Sequence, residues 1–240
     1  MSDAGSLKGA RPGQLPPGRH GLSRSFVADN QRGRILLATI DAIAATGYAR
    51  MSVEDIVRGA GVSRRTFYEL YDNKHDAFLA AFDAAAGALL HTVQAASERE
   101  TTFEGKVIAG FRAFLETLAA TPGPAQVCIV EALAAGPAAI ERRTTVMAAF
   151  AQVIEDNAPM VPGSQTLPAL TAETIVGGVY ETIFRRIAAG RVHELPALLP
   201  DLIESALLPY VGPRAAAAHA RRLRAIEPVP VAETVPERSL

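Results

Sequence analysis

Apolar residues recur at helical spacing through most of the chain. Ile35, Leu36, Ile40 and Ile43 form one stripe from about residue 29, and Gly47 closes it. Val53, Ile56, Val57 and Ala60 share the face of a short second helix. A fourth helix, capped by Asn73, is expected over about residues 74–98 on Phe78, Leu79, Phe82, Leu89, Leu90 and Val93. Phe103, Val107, Phe111, Phe114, Leu115 and Leu118 mark the next, and Pro122-Gly123-Pro124 breaks it. A short apolar helix is expected over residues 125–135, and another from Pro137 to about Asn157. After a loop at 159–168, helices are expected over 171–189 and 195–211, stopped by Gly190 and Gly212. A short basic helix then precedes a Pro-rich tail. The pattern predicts an all-α fold.

Between the first and fourth helices the residues carry a second message. Ser52 is placed to cap a helix, with Asp55 three residues on at the spacing of a capping box. Gly61 follows the last apolar position and takes a left-handed turn without a Cβ penalty. Ser63 is a second cap, opening a helix that carries Arg64, Arg65, Thr66, Tyr68 and Tyr71. Two short helices joined by a glycine turn form a helix-turn-helix, whose second helix fits the major groove of duplex DNA.

Charge agrees with this placement. The chain of 240 residues has a net charge of −1. Residues 1–75 hold 11 Lys and Arg against 7 Asp and Glu, and the remainder is acidic. A basic N-terminal part beside an acidic remainder suits a DNA-binding end joined to a block with another task. Aromatics are 6 % and Trp is absent, so the core is expected to be mostly Ala, Leu, Val and Ile. With one cysteine, Cys128, no disulfide forms within the chain. The N-terminus has no apolar run of a signal peptide, and no apolar window of membrane-spanning length stands out, so the chain is expected in the cytoplasm and away from membranes. Residues 1–28 are rich in Gly and Pro and read as a disordered arm, either touching nothing or reaching a neighbouring minor groove through its arginines.

Arginine donates two hydrogen bonds to a guanine edge, and a threonine methyl packs on that of thymine. Arg64, Arg65 and Thr66 are therefore the expected base readers. Adjacent helical positions diverge by about 100°, so the pattern leaves either arginine as the reader. Tyr68 and Lys74 are expected on phosphates, and Ser52 at a phosphate through its helix start, with Ser63 and Tyr71 grouped among the DNA contacts. No nucleophile, phosphate-loop, dinucleotide or metal-ligand spacing is present, so no catalytic residue, cofactor or metal is expected.

The segment from about Arg32 to Phe78 resembles the N-terminal domain of the TetR-type transcriptional regulators. The matching residues are Gly47-Tyr48, Ser52-Val53-Glu54-Asp55-Ile56, Ala60-Gly61-Val62-Ser63, Phe67-Tyr68 and Lys74. Leu70 and Tyr71 depart from the usual pattern. The resemblance implies a DNA-binding domain at 29–76, an effector-binding and dimerisation domain at 77–212, and a tail at 213–240. It implies an unknown small-molecule effector in the larger domain, with Phe111, Phe114, Cys128, Glu131, Phe150 and Tyr180 as candidate wall residues. It further implies a homodimer through the helices at 171–189 and 195–211. A two-fold dimer also meets a physical need, since one short reading helix contacts few bases. The function expected is a ligand-responsive repressor on a palindromic double-stranded DNA operator. The alternatives are an activator or an effector-independent architectural DNA-binding protein.

Overall fold

The computed structural model describes residues 24–226, with side chains from Phe26. All regular structure among the described residues is helical: α1 (Arg24–Thr46), α2 (Val53–Ala60), α3 (Arg64–Tyr68), α4 (Lys74–Glu98), α5 (Phe103–Ala120), α6 (Pro122–Ala125), α7 (Pro137–Asn157), α8 (Thr171–Ala188) and α9 (Leu199–Ile226). The chain forms two compact units, dividing within α4 after Ala88 and within α7 after Val146.

The first unit holds residues up to 88 together with 121–146. In this unit α6 and its continuation pack on α1. Ile35, Ile43, Met51, Ile56, Phe67, Phe78 and Phe82 are buried almost completely. The α1–α2 packing is close: a Cβ on Gly59 would lie 3.0 Å from that of Ala38. After α6 the chain winds into a π-helical turn at Gln126–Val130 and a 3₁₀ turn at Glu131–Leu133.

The second unit contains residues 89–120 and those from Met147 onward. Here α5 and α8 pack against a 3₁₀ stretch at Val192–Leu198 and against α9. Phe103, Leu115, Ile183, Leu195 and Ile203 are fully buried. The Phe103 and Tyr210 rings lie 4.8 Å apart.

Several boundaries differ from the sequence expectation. Residues 24–28, assigned to the disordered arm, are the first turn of α1, and the arm's remainder lies outside the described residues. Pro122 opens α6 rather than only ending α5, because proline's missing N–H is harmless in a first turn. The last main helix starts at Leu199, since residues 192–198 around Pro196 wind as 3₁₀. Gly212, at φ 79° and ψ 167°, breaks α9 into two arms. The second arm, assigned to a tail, buries Ala216, Ala220 and Leu223, and its Arg224 donates to Asp201 at 2.6 Å. The tail beyond residue 226 lies outside the described residues. An 18-residue window of α4 has a mean hydropathy of 1.2, long and apolar enough to cross a bilayer by length and composition, though it includes the charged Asp83. Its Phe78, Phe82, Leu89 and Val93 are nevertheless buried against protein, and its Asp83 pairs with Arg142.

Candidate nucleic-acid interface

The reading unit is built from local signals. The Ser52 hydroxyl accepts from the Asp55 N–H at 3.2 Å, while the Asp55 carboxylate accepts from the Ser52 N–H at 3.1 Å. This reciprocal capping box satisfies two amides that α2 leaves without helical partners. Hydrogen bonds from Ser52 hold the Asp55 carboxyl below the ordinary carboxylate range. Gly61 ends α2 with φ 61°, the left-handed region that glycine enters freely. The Ser63 hydroxyl then accepts from the Thr66 N–H at 3.0 Å and starts α3.

Burial sorts the side chains of α3. Phe67 is fully buried, its ring 5.3 Å from that of Tyr68. Tyr68 itself is 48 % exposed. Arg64 and Arg65 are exposed, and each is held by a carboxylate. Arg64 donates to Glu54 on α2 at 3.2 Å, and Arg65 donates to Glu69 one turn along at 2.9 Å. Exposed pairs of this kind contribute little to stability, so both guanidiniums are available to exchange a carboxylate for a base or phosphate. The Thr66 hydroxyl lies 2.8 Å from that of Ser63.

Two expected contacts look different in three dimensions. Tyr71, grouped with the DNA contacts, is only 9 % exposed and its ring lies 5.9 Å from that of Phe67. It is a core residue, because the turn after α3 carries it beneath the helix. Burial raises its hydroxyl pKa, with Arg32 beside it acting the other way. Lys74, expected on a phosphate, reaches back across the unit instead. Its ammonium donates to the carbonyls of Tyr48 and Ala49 at 3.2 Å each and of Met51 at 2.8 Å. It also sits 4.9 Å from the Tyr48 ring centroid. An ammonium has three donors, so a phosphate would have to displace one of these carbonyls. Asn73 caps α4 as its sequence suggests, accepting from the His75 and Asp76 amides at 2.8 and 3.0 Å.

The candidate effector residues fall into both units. Phe111, Phe114, Phe150 and Tyr180 belong to the second. Phe114 and Phe150 meet edge to face at 5.4 Å, and Tyr180 stacks on Phe184 of its own helix at 6.4 Å. All four candidates are half-buried. Cys128 and Glu131 belong to the first unit. Burial pushes the Cys128 thiol up to about 12. The Glu131 carboxylate accepts from the Tyr48 N–H at 2.9 Å and from the Gln126 side chain at 3.0 Å. Among the described residues, no group of three His, Cys, Asp or Glu side chains could hold a metal ion. Sequence reasoning missed the link from Glu131 to Tyr48, because no local pattern marks a contact across 83 residues.

Among the described residues, a capped helix-turn-helix presenting two arginines and an exposed tyrosine has the geometry of a DNA-reading unit. Residues 35–81 match the family model of bacterial regulatory proteins of the tetR family. The HTH-type transcriptional activator FasR of Mycolicibacterium smegmatis is 25 % identical over 116 residues, which are 48 % of this chain and 53 % of that protein. The chain thus spans about half the length of that curated relative. The fatty acid degradation regulator FadR from Bacillus halodurans has a similar fold, with a TM-score of 0.65 at 22 % identity over 73 % of this chain and 96 % of that one. So does FadR from Bacillus subtilis, solved in complex with stearoyl-CoA, with a TM-score of 0.63 at 20 % identity over 74 % and 97 %. Residues 35–81 thus carry the DNA-binding domain of tetR-family regulatory proteins, and the rest of the chain shares the fold of the two FadR structures.

Proposed function

We propose that the chain is a ligand-responsive repressor that binds a palindromic operator as a homodimer. The observation carrying this reading is the doubly capped α2–α3 pair, with Arg64 and Arg65 exposed at the start of α3. The first turn of a recognition helix is the part that faces base edges in the major groove. Arg64 and Arg65 supply the guanine contact, with Thr66 beside them, and Tyr68, Ser52 and Ser63 reach phosphates. Lys74 acts from within, fixing the α1–α2 turn against the start of α4 rather than gripping DNA.

Dimerisation through α8 and the first arm of α9 is supported by the half-buried apolar side chains Ile175, Val176, Val179, Tyr180 and Phe184 on α8. Two copies then meet half-sites about one duplex turn, or roughly 34 Å, apart. The half-buried Phe111, Phe114 and Phe150 favour an apolar or amphipathic effector. The bound stearoyl-CoA of the Bacillus subtilis FadR makes a long-chain acyl group a reasonable first class to try. The effector acts by its different affinity for operator-competent and incompetent states. Repression is the first reading; the name of FasR keeps activation as the second. Both place the protein in the cytoplasm with its DNA.

The test is selection of duplexes from a randomised pool by the full chain, followed by binding of the Arg64→Ala, Arg65→Ala double variant. A two-fold symmetric consensus whose recognition the variant loses supports the proposal. A pool without consensus supports the architectural alternative and removes the repressor reading.

A further inference from the structure

One residue of the α1–α2 turn is held from opposite sides. The carbonyl of Tyr48 accepts from Lys74 at 3.2 Å, and its hydroxyl lies 3.1 Å from Nδ1 of His75, both at the start of α4. Its ring packs on Phe78, centroids 5.0 Å apart. The N–H of the same residue donates to Glu131 at 2.9 Å. Glu131 thereby ties this peptide to the α6 region.

The surroundings of Glu131 fit this role. Its second oxygen accepts from Gln126 at 3.0 Å, which fixes the direction of the carboxylate. A carboxylate carries enough lone pairs to accept both bonds at once, and its charge strengthens each. Gly47, at φ 77°, leaves the carboxylate room: a Cβ there would stand 3.3 Å from Glu131 Oε1. Gln126 lies in the π-helical turn and Glu131 opens the 3₁₀ turn. A wide turn followed by a tight one aims these two side chains at one point, and single π turns often mark functional positions. Upstream, α6 lies close on α1, where a Cβ on Gly123 would be 3.0 Å from Ile40 Cγ2.

We propose that Glu131 is a positioning residue for operator binding: its carboxylate pins the Tyr48 peptide and so sets the angle at which α2 and α3 leave α1. Met51 and the Ser52 cap follow shortly after Tyr48, so movement at this peptide passes into the whole reading pair. The proposal rests on the DNA-binding reading above, but the pin itself is measurable without DNA.

The experiment uses the full chain and three variants, with amide hydrogen exchange at Tyr48 measured by NMR and affinity measured for a duplex selected by the parent chain. Loss of one such hydrogen bond corresponds to about tenfold in an equilibrium. Glu131→Ala is expected to speed Tyr48 exchange and to weaken duplex binding by about tenfold, with circular dichroism and salt slope unchanged. Glu131→Gln, whose amide oxygen can still accept from the Tyr48 N–H while its NH2 donates to the side-chain oxygen of a flipped Gln126, is expected to stay within about threefold of the parent. If Glu131→Ala does not fold, Gln126→Ala serves in its place, with an expected loss of about threefold. Parent-like affinity in Glu131→Ala, or in Gln126→Ala where that replaces it, overturns the proposal. So does a loss in Glu131→Gln as large as in Glu131→Ala. A parent chain that selects no duplex sinks the operator reading instead. In that case unchanged Tyr48 exchange in Glu131→Ala overturns the pin, and faster exchange upholds it.

Discussion

Replacing Lys74 by methionine keeps the stem and removes the ammonium. Three carbonyls, those of Tyr48, Ala49 and Met51, then go without their donor. Hydrogen bonds to charged groups contribute about 1.5–3 kcal/mol each when well shielded. Ala49 is exposed and water can replace the lysine there, so the three bonds together are better placed near 2–3 kcal/mol. The ammonium over the Tyr48 ring adds roughly 0.5–1 kcal/mol at a partly exposed site. The expected loss is thus about 3 kcal/mol. With a urea slope of about 2 kcal/mol per molar, the unfolding midpoint falls by about 1.5 M. The assay is urea unfolding followed by circular dichroism, paired with the salt dependence of duplex binding. Removing a lysine that grips a phosphate would lower the salt slope by about one unit. The clasp predicts a lowered midpoint and an unchanged slope. An unchanged midpoint with the slope reduced by about one unit would refute it and restore Lys74 to the DNA surface.

Other substitutions probe other parts of the account. Whichever of Arg64→Ala and Arg65→Ala removes a guanine contact should relax preference at one base position by roughly tenfold or more; equal weakening on all sequences would make that arginine a phosphate contact. Ser52→Ala should cost about 1 kcal/mol in urea unfolding through loss of the α2 cap. Because the Asp55 pKa is lowered by Ser52 in the folded chain, the carboxylate's contribution is full above the ordinary Asp value near ~3.9 and fades as pH falls through the lower folded value. The penalty of Ser52→Ala should therefore shrink in acid below that point, and a penalty constant down to about pH 2 would contradict the pairing. Cys128, buried with its thiol raised to about 12, should resist an aromatic disulfide reagent at mildly alkaline pH until urea unfolds the chain; immediate stoichiometric labelling would show the site is open. Val179→Glu should turn a sedimenting dimer into a monomer, and a dimer that persists would move the interface off α8.

Legibility followed the range of each interaction. The Ser52–Asp55 box, the left-handed Gly61, the Ser63 cap and the Asn73 cap all act within a few residues, and the sequence announces each. The fully buried Phe67 and Ile56 lie on the apolar stripes that periodicity picks out. The bonds from Lys74 to the α1–α2 turn and from Tyr48 to Glu131 could not be read this way, since they cross 23 to 83 residues and both residue types suit a phosphate or a pocket equally well. Tyr71 sits one turn past Phe67 and reads as an extension of α3, yet that helix stops at Tyr68 and the following turn buries it. The π and 3₁₀ winding after α6 and the 3₁₀ stretch around Pro196 escaped because a period of about 3.6 residues cannot register a local change of pitch.

The central claim is an operator-binding dimer that reads DNA through α3. Analytical ultracentrifugation of the full chain with a labelled duplex, selected from a random pool and carrying two half-sites one turn apart, tests it most directly. The account predicts two chains per duplex, resistant to about a tenfold excess of unrelated DNA, with binding abolished when the half-site spacing is altered by about five base pairs, half a duplex turn. One chain per duplex, or binding indifferent to competitor and spacing, would contradict it.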